Sequence, residues 1–169
     1  MSDQAKSQSS SQAEKTAPQK PMKKSAARLG AVQALYQMDL AATPLNDVLA
    51  EFESHWLGQE VEGIEFPEAD RRLFRSVVEG VLNAQRQIDP LVDGTLSKGW
   101  PLKRVEAVLR AVLRAGAFEL MAKDPPARVV ITEYVNVAGA FLDRDETGMV
   151  NAVLDALAHE LRPDEFRGA

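Results

Sequence analysis

Residues 25–40 read Ser-Ala-Ala-Arg-Leu-Gly-Ala-Val-Gln-Ala-Leu-Tyr-Gln-Met-Asp-Leu, and their spacing predicts an α-helix. Leu29, Val32, Tyr36 and Leu40 recur three to four residues apart. Leu35 and Met38 widen that apolar face to about half the circumference, at ~100° per residue. Ser25 is the expected cap. Thr43-Pro44 is the expected stop, because the residue before a proline disfavours helical backbone. So broad a face has two readings: a helix packed centrally, or one whose Tyr36/Leu40 edge is left for a partner, since an aromatic beside an aliphatic makes a good anchor. Cations crowd the start of this helix: Lys23, Lys24 and Arg28. They oppose the positive end of the macrodipole, at a cost of roughly a few tenths of a kcal/mol each unless an outside anion offsets them. Phosphate fits that role. Lys24 and Arg28, four apart, share a face. The cluster reads as a nucleic-acid docking end, against the plainer reading of a solvated terminus.

Further along, Asn46 or Asp47 is expected to cap a short helix carrying Leu49, Phe52 and Trp56 and ended by Gly58. A loop over 58–67 follows, and Pro67, Glu68 and Asp70 open a long helix. Leu73, Val77, Val81, Ala84 and Ile88 line one side of it, with Arg72, Arg75, Glu79 and Arg86 opposite. Gly80 marks a close helix crossing. Asp89-Pro90 is expected to break or kink this helix before a short one over Leu91–Leu96. Pro101 opens what should be the central helix, with Leu102, Val105, Leu109, Val112, Gly116 and Leu120 inward, and Lys103, Arg110 and Arg114 opposite. Asp124-Pro125-Pro126 stops it. A buried helix over Val129–Leu142, a polar loop over Asp143–Gly148 and a last helix with Met149, Val153, Leu157 and Leu161 inward complete the chain. The expectation is an all-α bundle of about seven helices with no secure strand. Residues 1–22, rich in Ser, Gln and Lys, cannot bury enough surface to offset chain entropy and should form a tail before one domain over 23–169.

At 169 residues and 45% hydrophobic content, one core is the default. There is no cysteine and there are only two histidines, His55 and His159, so no metal site or cofactor is expected and no catalytic motif stands out. No apolar run approaches the ~20 residues of a membrane span, and no secretory signal opens the chain; a cytoplasmic protein is expected. The net charge of −5 is unevenly spread. Residues 1–24 hold five lysines against Asp3 and Glu14, or +3, which leaves −8 on the rest. A basic head on an acidic body fits a local grip on a polyanion. Lys103 and Arg104 repeat the theme of cations at a helix start. Glu119 falls in an apolar sector and is expected to be satisfied by a helix end or an arginine.

Three ordered blocks carry a resemblance: Arg28 with Ala31-Val32-Gln33-Ala34-Leu35-Tyr36, Val112-Leu113-Arg114 through Phe118-Glu119-Leu120, and Met149-Val150-Asn151-Ala152-Val153-Leu154-Asp155. Over about residues 24–161 the chain resembles the transcription antitermination factor family NusB. The resemblance implies a NusB-like helical fold and a non-enzymatic RNA-binding role. It also implies pairing with NusE, a ribosomal small-subunit protein, on boxA RNA of ribosomal RNA leaders, and contact with other Nus factors and RNA polymerase through that complex. By position it implies RNA contact at Lys24 and Arg28, a NusE-facing surface at Tyr36 and Leu40, a partner role for Asp145, and an RNA-side position for Met149. The chain departs from the family pattern where Ser25, Ala26 and Ala27 replace much of an arginine cluster, where Gly148 and Met149 replace a basic–aromatic pair, and where Ala152 replaces a glycine. Three alternatives remain: a protein-only scaffold, an RNA-modifying enzyme bearing such a domain, against which the length argues, and a homodimer that masks the RNA surface.

Overall fold

The computed structural model describes residues 20–55, 60–61, 64–65, 70–96 and 105–167. They form six α-helices, α1 (Lys20–Ala41), α2 (Leu45–His55), α3 (Arg71–Thr95), α4 (Ala107–Met121), α5 (Ala127–Phe141) and α6 (Arg144–Leu161), then a 3-10 turn over Pro163–Phe166. A minimal antiparallel pair, β1 (Glu60–Val61) and β2 (Ile64–Glu65), lies between α2 and α3. The expected loop over 58–67 thus contains two short rungs, and the architecture is all-α.

The sequence places α4 at the centre because apolar residues surround it. Leu109, Val112, Leu113, Ala115, Ala117 and Leu120 are all buried, and α1, α3, α5 and α6 pack around them. Close approach depends on glycine at two crossings. A Cβ on Gly80 would stand 2.1 Å from the Phe118 ring, and one on Gly116 would stand 2.8 Å from Leu154. The expected crossing at Gly80 is therefore α3 on α4. Phe52 of α2 stacks on Phe74 of α3, with ring centroids 5.7 Å apart.

Several boundaries differ from expectation. α1 includes Lys20, so Ser25 is no cap; its hydroxyl donates to Glu133 at 2.8 Å. Neither Asn46 nor Asp47 caps α2, which starts at Leu45 with the Pro44 carbonyl accepting from Asp47 and Val48. Trp56, Gly58, Pro67 and Glu68 lie outside the described residues. Asp70 alone caps α3, accepting from the Leu73 N–H. α3 runs unbroken through Pro90 to Thr95, so no separate helix over 91–96 exists. Buried Ile88 and Val92 anchor the backbone on either side of the exposed proline, and tertiary packing outweighs the lost hydrogen bond. α4 starts at Ala107; Pro101 and Leu102 lie outside the described residues, and Val105 is buried without being helical. α5 buries one side only, through Val130, Tyr134 and Val137, and leaves Val129 and Phe141 exposed. The polar stretch over 143–148 is the cap and first turn of α6, with Asp143 accepting from Glu146 N–H at 2.8 Å.

Candidate nucleic-acid and partner interface

Lys24 and Arg28 part company in the folded chain. Both lie inside α1 beyond its first four residues, where the free N–H groups are, so neither opposes the positive end of the macrodipole. Lys24 is exposed, Lys23 is half-buried, and Arg28 is only 3% exposed. Arg28 donates through Nε and Nη2 to the two carboxylate oxygens of Glu119, at 2.8 and 2.9 Å. Its Nη1 stands 3.8 Å from Glu133, and the Tyr134 hydroxyl also donates to Glu119. Arg28 is thus a correction: its guanidinium is spent inside the bundle, because the buried Glu119 needs a counter-charge. The arginine expected for Glu119 is this one. Burial works to lower the Arg28 pKa, but the hydrogen bond and charge of Glu119 outweigh it and hold it raised. Burial first, then the charge of Glu119, pushes the Tyr134 hydroxyl well above the usual tyrosine range.

At the other end of α1, Leu40 is 61% exposed and Tyr36 is half-buried. With Gln33, Gln37, Glu51 and Phe52 they line an open groove between α1 and α2, and Gln37 donates to Glu51 at 3.1 Å across it. Next to Leu40, Asp39 accepts from Arg110 of α4 at 2.6 Å. Arg114, one turn on, donates to Asp89 of α3 at 2.8 Å. This ladder pins the end of α1 to the start of α4. The start of α6 belongs to the same end of the bundle, since Leu154 meets Gly116 midway and Arg162 bonds the carbonyls at the end of α4, which sets α6 parallel to α4. Asp145 is exposed there in the first turn of α6, and Met149 is half-buried against the core.

The candidate residues therefore divide. Lys23 and Lys24 stand at one end of α1, and Tyr36 and Leu40 stand toward the other, with Lys24 and Leu40 roughly 24 Å apart at the helical rise. Asp145 and Met149 share the Leu40 end. Lys103 and Arg104 lie outside the described residues. Sequence reasoning missed Arg162, which bonds the carbonyls of Glu119, Leu120 and Ala122 and so closes the end of α4. Its only sequence signal is an arginine just past a helix, too common to single out. Among the described residues, no cluster of His, Cys, Asp or Glu is placed to hold a metal ion, and no helix is long and apolar enough to cross a membrane.

The NusB family matches residues 25–159. Transcription antitermination protein NusB of Bradyrhizobium diazoefficiens is 63% identical over 148 residues, covering 87% of this chain and 90% of that protein. The protein of the same name from Nitrobacter hamburgensis is 59% identical, with 87% and 92% covered. Among solved structures, T. maritima NusB superposes with a TM-score of 0.68 at 26% identity, over 85% of this chain and 96% of that one. A complex of antitermination factors NusB and NusE with dsRNA includes a chain of the same fold, with a TM-score of 0.65 at 23% identity over 80% and 96%. A shared fold with solved NusB structures and close identity along most of the sequence lead to one conclusion: the chain belongs to the NusB family.

Proposed function

We propose that this chain is a transcription antitermination factor that acts by assembly and not by chemistry. It binds boxA-type RNA of ribosomal RNA leaders jointly with NusE, and through that complex reaches other Nus factors and RNA polymerase. The observation that carries this reading is the 63% identity, over nearly the full length, with an antitermination protein of the family. Lys23 and Lys24 meet the RNA backbone, with Lys103, Arg104 and Met149 as further RNA candidates. Tyr36, Leu40 and Asp145 meet NusE. Arg28 holds α1 in place and does not touch phosphate. The reading includes a cytoplasmic location, no cofactor and no catalysis.

The test is binding of boxA RNA titrated against salt, with and without NusE. Lys24→Ala should weaken binding and flatten the salt dependence by about 0.7 in slope, the loss of one single-strand phosphate contact. An unchanged slope removes Lys24 from the interface. The burial of Arg28 favours one rival, a protein-only scaffold. RNA binding absent under every condition, with NusE binding intact, would establish it. Sedimentation at several concentrations tests the homodimer.

A further inference from the structure

Between Lys23 and Arg28 the apolar side chains that α1 sets against the bundle are those of Ala26 and Ala27, too small to fix the helix by packing alone. Polar bonds fix it instead. The Lys23 carbonyl accepts from the Asp70 N–H, Ser25 and Arg28 reach Glu133 of α5, and Arg28 grips the Glu119 carboxylate of α4. Glu119 is held a second time, from the C-terminal side of the chain. Its backbone carbonyl accepts from Arg162 Nη2 at 2.8 Å, and the Leu120 carbonyl accepts from Nε at 3.0 Å. The same guanidinium donates to the carbonyls of Ala122 and Pro125 and to the Glu165 carboxylate, and its side chain is only 8% exposed. A cation thus meets the carbonyl end of α4, where the macrodipole favours one. Glu165 serves the other side of the joint. It accepts from the Ala127 N–H at 3.0 Å, an open donor at the start of α5, where Pro126 offers no side-chain acceptor. Phe166 stacks on His159, with ring centroids 3.9 Å apart, and fastens the turn over Pro163–Phe166 to α6.

From this arrangement we infer that Arg162 is a positioning residue for RNA binding: through Glu119 and Arg28, the C-terminal turn sets where Lys24 stands. The inference rests on the RNA-binding reading above and extends it to a segment that need not touch RNA. The last carbonyls of a helix have no partner within it. Without Arg162 those of Glu119 and Leu120 turn toward water, the end of α4 frays, and Glu119 no longer presents its carboxylate to Arg28 in one place. Arg28 then loses the bidentate geometry that locks the start of α1, and Lys24, one turn before it, moves with the helix end. Tyr36 and Leu40 stay in place, because Asp39 beside them is pinned separately to Arg110.

The experiment titrates boxA RNA binding against salt, with NusE present, for the full chain as wild type, Lys24→Ala, Arg162→Ala, Glu165→Ala and the double variant Lys24→Ala with Arg162→Ala. Thermal unfolding and NusE binding without RNA are measured on each. Lys24→Ala should flatten the salt dependence by about 0.7 in slope, and Arg162→Ala should flatten it as much. The double variant should flatten no further than either single change, because both remove the same contact. Glu165→Ala, at an exposed position, opens one side of the turn and should flatten the slope by a smaller amount, with NusE binding at wild-type strength. A merely structural Arg162 would lower stability and leave the slope of the folded protein unchanged, and that result overturns the inference. Additive losses in the double variant overturn it too. If Arg162→Ala fails to fold, Glu165→Ala decides, and a wild-type slope there counts against the turn. A slope that falls with Lys24→Ala alone ends the positioning role and leaves the Lys24 contact standing, whereas no RNA binding by wild type removes the RNA reading and this inference with it.

Discussion

Arg28, Glu119 and Tyr134 form a buried polar cluster whose members depend on one another. Arg28→Ala leaves the Glu119 carboxylate without its counter-charge and should cost about 3–5 kcal/mol in urea unfolding. Arg28→Met with Glu119→Leu should be less destabilised than either single change, because no charge is then left alone. A double variant at the sum of the singles would show that the pair is not coupled. The cluster also predicts an alkaline limit. Burial raises the folded Tyr134 pKa above its unfolded value, so the unfolded state gives up that proton first as pH rises past about 10, and stability falls from there upward. Below about pH 10 this contribution is fully present. Tyr134→Phe should flatten the alkaline decline, and a decline identical to wild type would place its origin elsewhere. On the outer side of α1, Tyr36→Ala should weaken NusE binding by ~1–2 kcal/mol. Calorimetry checks this, and wild-type affinity would take Tyr36 out of the interface. The inward role of Arg28 is not legible in residues 25–40 alone. Lys24 and Arg28 look alike on a helical wheel, and what separates them is a glutamate 91 residues away.

Helices follow local signals well where the signal is strong. The apolar period identified α1, α3, α4 and α6, and Gly80 announced the contact of α3 with α4. A single substitution gives three outcomes according to the neighbour. Gly80→Ala drives a methyl into the Phe118 ring and should cost about 1–3 kcal/mol. Gly116→Ala meets the ends of a leucine side chain at 2.8 Å and should cost less. Gly139→Ala in α5 meets nothing within 4 Å and should stabilise by about 0.5–1 kcal/mol through helix propensity alone. Thermal unfolding of the three variants checks the order, and a Gly80→Ala protein as stable as wild type would contradict the crossing. Prolines misled where packing was strong. Pro90 predicted a break, yet Ile88 and Val92 are buried on both sides of it and α3 continues. The cap of α2 was misread because Asn46 and Asp47 are both plausible polar candidates, and the 143–148 stretch, read as a loop, is the cap and first turn of α6. Asp143 accepts from the Glu146 N–H at the start of α6, whereas neither Asn46 nor Asp47 caps α2.

For the whole molecule, a basic head and an acidic body predict a division of labour. Residues 1–19, rich in Ser, Gln and Lys, are too poor in apolar side chains to add to a core. A chain lacking residues 1–19 should therefore unfold at the same urea midpoint as the full chain. It should also bind RNA with a shallower salt slope, since Lys6 and Lys15 are gone. A lowered midpoint would move the domain boundary toward the N-terminus. By itself the sequence determined the helical class, the order of the helices, the position of α4 at the centre and the family, because period, breakers and ordered blocks are local properties of the chain. Only the tertiary structure decided which cations face water. Arg28 turns inward because Glu119 and Tyr134 arrive from α4 and α5 to desolvate and bind it, whereas Lys24 meets no such partner and stays at the surface, where a phosphate can reach it.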